Sequence, residues 1–366
     1  MSLIINLFPL LPQMNLSEVL TSWYIRNKRE LPWRQTSSPY KIWLSEIILQ
    51  QTRVDQGIDY YLNFIQQYPG VDDLSQASLD EILKIWQGLG YYSRARNLHE
   101  TARKIAGEYC GRFPESYTEL LKLKGIGPYT AAAIASIAFN QPVAVIDGNV
   151  IRFLSRYFGL DLPFHSAEGK KQFEMLASRL LDQKSPGIHN QAVMEFGAVQ
   201  CLPQNPDCRS CPLNGTCHAL LNDMVNELPV KKTPVRVKKR YFNYMVISSG
   251  NKIFLRKRTK KDIWKMLYEF PLIETTDEES EIEIINSHGW KEMLHKTESF
   301  RITHTSKLYK HILTHQRIYA RFFRIKIDKP NVFLLKDCIP VDIILLQKYA
   351  VPRLIEKYLL DNPVLP

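Results

Sequence analysis

The chain has 366 residues, 45% of them hydrophobic, which exceeds the needs of one small core and is ample for two domains with buried interiors. Its formal net charge of +11 favours a polyanionic partner, because counterions released from DNA drive association with a cationic surface. No apolar run is long enough for a membrane helix, and residues 1–13 are apolar without the basic start or small-residue cleavage site of a signal peptide, so neither a membrane protein nor an exported one is expected.

Met14 precedes the first convincing helix, so residues 1–14 read as a dispensable tail or the product of an over-early start codon, and residues 15–225 as a helical domain. Glu46, Gln50 and Arg53 recur at i, i+4 and i+7 while Ile47, Ile48 and Leu49 turn elsewhere, the pattern of one polar helix face. On its own that pattern marks a solvated surface. Leu123-Lys124-Gly125-Ile126-Gly127-Pro128-Tyr129-Thr130 reads as a hairpin opening a small-residue helix. Gly125 and Gly127 permit a sharp turn without a Cβ penalty and Pro128 suits a first helical turn, so outward N–H groups at the helix's positive end offer a phosphate site. Asp147 ends the apolar stretch Pro142-Val143-Ala144-Val145-Ile146 beside Gly148, presented rather than submerged.

Cys201, Cys208, Cys211 and Cys217 form a C-x6-C-x2-C-x5-C run, tight enough for one loop to bring four thiolates to a [4Fe–4S] cluster or a structural zinc. The spacing does not choose between them. Two disulfides would need an oxidising compartment, and the distant Cys110 and Cys338 supply no framework; reduced thiolates suit a cytoplasmic location.

The proline-punctuated, cationic stretch 226–240 reads as a linker. Beyond it, residues 241–248 and 252–258 flank Ser249-Gly250-Asn251 as a β-hairpin, residues 319–327 alternate as another strand, and helical patterns fall near 277–295 and 341–360. Residues 241–366 therefore read as an α+β domain.

Trp33-Arg34, Trp43-Leu44-Ser45-Glu46, Leu49-Gln50-Gln51-Thr52-Arg53-Val54 and the run from Gly88-Leu89-Gly90-Tyr91-Tyr92 to Leu98 complete the motifs. Taken with the hairpin, Asp147 and the cysteine loop in this order, residues 15–220 resemble the helix-hairpin-helix DNA glycosylases, and these segments resemble the adenine glycosylases of the MutY family. The resemblance implies a multidomain α and α+β protein: an all-α glycosylase domain with a [4Fe–4S] loop at 201–217, then an α+β Nudix-like lesion-recognition domain. It moves the cysteine assignment from zinc to one [4Fe–4S] cluster, structural and DNA-contacting. It implies a base-excision enzyme that flips and hydrolytically removes adenine mispaired with 8-oxoguanine or guanine in double-stranded DNA, acting as a monomer.

The family's roles map onto this chain residue by residue. Glu46 is the general acid that protonates the departing adenine and later helps activate water, since the purine anion is a poor leaving group. Asp147 stabilises the positive charge developing on the sugar, with Tyr129 and Asn149 in supporting hydrogen bonds. Tyr129 stands where strand-cutting relatives such as endonuclease III carry a Schiff-base lysine, so the resemblance implies monofunctional hydrolysis leaving an abasic site. Trp33, Arg34, Leu49, Gln51 and Gln191 match the adenine pocket, with Glu195 a competing acid near the last of these. Gln50 and Tyr91 match residues that enter the base stack, Tyr91 beside the oxidised guanine, and Gly125 and Gly127 contact the DNA backbone.

In the second domain, Trp264-Lys265-Met266-Leu267-Tyr268-Glu269-Phe270-Pro271 resembles a Nudix-like segment, but the magnesium-binding acids of the hydrolases are missing, so binding rather than hydrolysis is expected. Leu313, Thr314 and His315 match the loop that senses 8-oxoguanine, with Thr303-His304-Thr305-Ser306 as the competing register and His304, His311 and His315 open to an ordinary structural reading. Three other functions compete with the main one: an endonuclease III-like glycosylase and lyase for oxidised pyrimidines, a catalytically silent iron–sulfur DNA-binding module, and a Nudix-type hydrolase.

Overall fold

A computed structural model describes residues 16–230 and 237–363, apart from Lys296 and Glu298. The tail at 1–14 and residues 231–236 of the linker lie outside the described residues. The chain forms two compact units. Described residues within Met1–Gln76 and Glu100–Thr233 make one, and those within Ala77–His99 and Pro234–Pro366 make the other. Residues 77–99, expected as part of the helical domain, thus cluster with the C-terminal region.

Helices α1 (Leu16–Asn27), α2 (Pro39–Leu49), α3 (Val54–Gln67), α4 (Val71–Gln76), α5 (Leu79–Ile85) and α6 (Ser93–Glu108) open the chain. They are followed by α7 (Tyr117–Leu120), α8 (Pro128–Phe139), α9 (Gly148–Phe158), α10 (Ala167–Leu180), α11 (Pro186–Glu195) and α12 (His218–Leu221), with no strand among the described residues before 238. α5 belongs to the second unit and the boundary runs through α6.

In the helical unit Leu20, Trp23, Phe153, Tyr157, Phe173 and Phe196 build the main core. Ala131 to Ala135 are all buried, and these small side chains let α8 lie close against α2, itself buried continuously from Ile42 to Ile48. α2 stops at Leu49, Gln51 takes a left-handed φ of 56°, and α3 starts afresh at Val54. Glu46, Gln50 and Arg53 therefore do not share one helix face. The polar stripe expected from their spacing is broken by this turn, and Glu46 points into the protein.

The second unit is built on one mixed sheet. β1 (Lys238–Ser249) and β7 (Gln316–Ile327) run parallel in unbroken register from Lys238↔Gln316 to Ser248↔Lys326. β2 (Lys252–Lys257) pairs antiparallel with β1, β3 (Tyr268–Glu269) and β8 (Ile339–Asp342) pair with β2, and β4 (Leu272–Thr275) pairs with β1. β5 (Phe300–Thr305) and β6 (Tyr309–Ile312) pair antiparallel with β7.

One sheet face packs on α16 (Arg353–Asp361), where the Phe322 and Tyr358 rings stack 3.9 Å apart. Met245, Ile247, Phe323 and Ile325 on the other face form a core with Ile284, Trp290 and Leu334, which come from α13 (Glu281–Asn286), α14 (His288–Met293) and α15 (Val332–Asp337). The helical pattern near 277–295 resolves into α13 and α14 because Ser287 takes extended dihedrals and caps α14. That near 341–360 resolves into the end of β8, a 3₁₀ turn at Ile343–Lys348 and α16, which begins after Pro352. Among the described residues no helix is long and apolar enough to cross a membrane.

Candidate active site

One carboxyl group meets a phenol in the helical unit, and a second acts on both through its charge. Glu46 lies on the buried helix α2, 8% exposed, and its Oε2 accepts from Tyr129 Oη at 2.5 Å. Tyr129 is the second residue of α8 and is half-buried. Asp147 caps α9: Oδ1 accepts from the Asn149 and Val150 amides at 2.9 and 2.7 Å, and Oδ2 from Asn149 Nδ2 at 2.8 Å.

These surroundings separate the two acids. Burial drives the Glu46 carboxyl from 4.5 up to about 7, with Asp147 adding to the rise and the Tyr129 hydrogen bond and Arg34 opposing it. Burial also raises Asp147 above its usual 3.8, but the Val150 amide, the Asn149 side chain and amide, and Arg152 all favour its ionised form. Tyr129 is held well above 10 by burial and by both carboxylates, so it stays a neutral donor.

Glu195 completes the contrast. It is 1% exposed, yet its carboxylate receives Arg29 Nε and NH2 at 2.8 and 2.6 Å, the Arg29 amide at 2.9 Å, and Arg34 NH1 and NH2 at 2.9 and 2.5 Å. Against the cost of burial, these donors pull it down to about 2, so Glu195 is a permanently ionised anchor and not an acid. The Arg34 guanidinium lies 5.5 Å from the Tyr24 ring, and Tyr24 Oη donates to Gln191 Oε1 at 3.1 Å, so Arg34, Tyr24, Gln191 and Glu195 form one polar cluster.

The other expected pocket residues are placed less uniformly. Gln50 Nε2 donates to Thr130 Oγ1 at 3.4 Å, tying the end of α2 to α8, and Leu49 lies against Gly57. Trp33 is buried edge-on to Tyr61, centroids 5.3 Å apart. Gly125 has φ of 79°, as a sharp turn requires, whereas Gly127 is extended at φ −89° and needs no glycine for its backbone. A Cβ on Gly127 would meet nothing within 4 Å, so its use lies in leaving an uncapped helix start open at the surface.

α9 joins Asp147 to the cysteine loop. Arg152 donates to Asn149 Oδ1 at 2.9 Å, Gly197 O at 2.5 Å and Cys201 O at 2.8 Å, while Arg156 reaches Leu202 O at 2.6 Å and Cys201 Sγ at 3.5 Å. Arg29, Arg152 and Arg156 escape a sequence reading; for the last two the faint signal is their i+3 and i+7 spacing from Asn149. Cys201, Cys208, Cys211 and Cys217, all free thiols, line one pocket with Phe153, Tyr157 and Leu213. Among the described residues no three His, Cys, Asp or Glu side chains converge as closely as a single metal ion requires. The four thiols share this pocket with apolar side chains, a soft donor set whose chemistry suits either an iron–sulfur cluster or a structural zinc.

In the second unit Tyr91, 46% exposed at φ 46°, meets Thr314 Oγ1 at 2.5 Å through its hydroxyl. Thr314 and His315 are exposed in the β6–β7 turn, which Leu313 N closes on Gln316 O at 2.8 Å. The competing segment is occupied by the fold: Thr305 pairs with Phe323, and Ser306 exchanges bonds with Phe322. His311 is half-buried 5.7 Å from the Trp264 ring, a packing role, and burial lowers its pKa.

Comparison with known proteins divides the chain along the sequence, keeping residues 77–99 with the helical region. The model of the HhH-GPD superfamily of base excision DNA repair proteins matches residues 44–180, and a NUDIX domain model matches residues 243–361. An adenine DNA glycosylase of Buchnera aphidicola subsp. Baizongia pistaciae is 37% identical over 324 residues, covering 86% of this chain and 87% of that protein. That of Mus musculus is 45% identical over 209 residues, 55% of this chain and 41% of its own length. Among solved structures, a thermostable thymine-DNA glycosylase aligns with a TM-score of 0.53 at 30% identity, over 56% of this chain and 95% of that one.

Proposed function

This chain belongs to the adenine DNA glycosylase family, and on that premise we propose that it removes adenine mispaired with 8-oxoguanine or guanine from double-stranded DNA by hydrolysis, without cutting the strand. The observation that carries the mechanism is the pair of unlike carboxyls: Glu46, with one donor and a pKa near 7, and Asp147, with three hydrogen-bond donors at a helix start. Near neutral pH Glu46 keeps a useful protonated fraction. It passes that proton to the adenine as the N-glycosidic bond breaks and then, ionised, takes one from the attacking water. Asp147 faces the sugar as an anion and stabilises its growing positive charge. Tyr129 orients Glu46, and Asn149 holds Asp147. With tyrosine at position 129 there is no amine for a Schiff base, which supports the monofunctional reading over an endonuclease III-like lyase.

Reaching adenine requires extruding the nucleotide, at a cost of a few kcal/mol of stacking. Gln50 and Tyr91 fill the gap, and Trp33, Arg34, Leu49, Gln51 and Gln191 bound the adenine pocket. Gly125 and Gly127 bring backbone amides at the start of α8 to a phosphate. Tyr91 and Thr314 meet beside the lesion, and their contact supports Leu313-Thr314-His315 as the 8-oxoguanine sensor. Cys201, Cys208, Cys211 and Cys217 hold one [4Fe–4S] cluster, which supplies a rigid cross-link within loop 201–217. Arg152 and Arg156 carry the order of that loop along α9 to Asp147.

The test is base release from duplexes carrying adenine opposite 8-oxoguanine, guanine or thymine, with and without alkali. Release opposite 8-oxoguanine, with breaks only after alkali, is expected. Breaks without alkali favour the lyase, and tight binding without release favours a silent DNA-binding module.

A further inference from the structure

The sheet of the second unit is covered by helices along only part of one face. On β1 and β7 the residues Met245, Ile247, Phe323 and Ile325 lie under α13 to α15. Side chains alternate along a strand, so Tyr241 and Lys239 share that face, as do Tyr319 and Arg317, and the register pairs Tyr241 with Tyr319 and Lys239 with Arg317. β6 adds Lys310 opposite Tyr319 and Ile312 opposite Arg317, with Ile312 66% exposed.

The two tyrosine rings stack, centroids 5.3 Å apart and 17° between planes, and both remain only half-buried. Among the described residues Lys239, Lys310 and Arg317 make no ion pair, and neither hydroxyl has a side-chain hydrogen bond. An aromatic pair on adjacent inner strands, ringed by unpaired cations, is the layout on which sheets stack unpaired bases while cations meet their phosphates. The acidic segment Asp277-Glu278-Glu279 follows β4, and Arg321 donates to Glu279 O at 3.1 Å, so this segment borders the patch on that side. The open path crosses β1, β7 and β6, about 10 Å at the usual strand spacing.

We propose that this face binds a single-stranded DNA segment, with Tyr241 and Tyr319 stacking on bases and Lys239, Lys310 and Arg317 meeting phosphates. Neither tyrosine belongs to the excision machinery proposed above. The full-length protein is titrated by fluorescence anisotropy against a labelled oligothymidylate and against an undamaged duplex, with adenine excision measured in parallel. Tyr241→Ala with Tyr319→Ala is expected to weaken single-strand binding about tenfold or more, leaving duplex affinity and excision unchanged. The double phenylalanine variant, which keeps the rings, retains single-strand binding and separates stacking from a folding defect. Unchanged single-strand affinity in the alanine variant overturns the proposal. So does an equal loss on duplex, which would reassign the face to backbone contact.

Discussion

Glu46 and Glu195 are buried glutamates of the same helical unit, and their surroundings give them opposite chemistry. Glu46 has one phenol donor and is pushed up to about 7; Glu195 has two guanidinium groups and a backbone amide and is drawn down to about 2. Burial is common to both, so burial does not mark a catalytic acid. What marks it is burial left uncompensated. Glu269 of the sheet unit extends the lesson: 1% exposed, it is held by Arg256, Arg258 and Tyr244, an arrangement that anchors β3 to β2.

The contrast breaks first at Glu46. Glu46→Gln should slow single-turnover excision by about 10²–10⁴-fold, the usual weight of general acid–base catalysis. The same variant should be more stable than wild type above pH 7. The unfolded carboxyl titrates near 4.5 and the folded one near 7, so the folded state holds an extra proton between them and stability falls as pH rises through that window. Ionising Glu46 in place costs on the order of 3 kcal/mol, a penalty glutamine does not incur, and thermal melts at pH 8 would show it.

Glu195→Gln should do the reverse, lowering stability by about 3 kcal/mol through two stranded guanidinium groups, read by urea unfolding at pH 7. Stabilisation by this change would make Glu195 the strained acid instead. Tyr129→Phe is subtler: it removes a donor that favours ionised Glu46, so the alkaline limb of the rate profile should move to higher pH, and a move to lower pH would mean the phenol stabilises the protonated form. Smallest is Thr314→Val, which should cut the preference for 8-oxoguanine over guanine by roughly 2- to 10-fold, the worth of one hydrogen bond, while Thr303→Val leaves it intact.

The architecture was legible because its signals are local. Glycine and proline punctuate the hairpin, small residues write α8, the Ser249-Gly250-Asn251 turn marks β1 against β2, alternation writes β7, and four cysteines lie within one short loop. The proposed roles of Glu46 and Asp147 came from the resemblance alone, because periodicity assigned Glu46 to a polar stripe that the turn at Gln50-Gln51 abolishes. Partnership across distance left no trace in the sequence: Arg29 and Arg34 reach Glu195 over more than 160 positions, and nothing near residue 29 announces it. The association of residues 77–99 with the C-terminal region was hidden for the same reason. Lys257 to Asp80 and Gln87 to Glu356 are contacts between segments that only the folded chain brings together.

The most direct measurement is the pH dependence of single-turnover adenine release for the wild type and Glu46→Gln, on one duplex carrying adenine opposite 8-oxoguanine. The wild-type rate should fall as pH rises through about 7, and the variant should be slow with no such limb. A wild-type rate flat from acid to alkaline pH, or the same limb in both proteins, would contradict Glu46 as the acid.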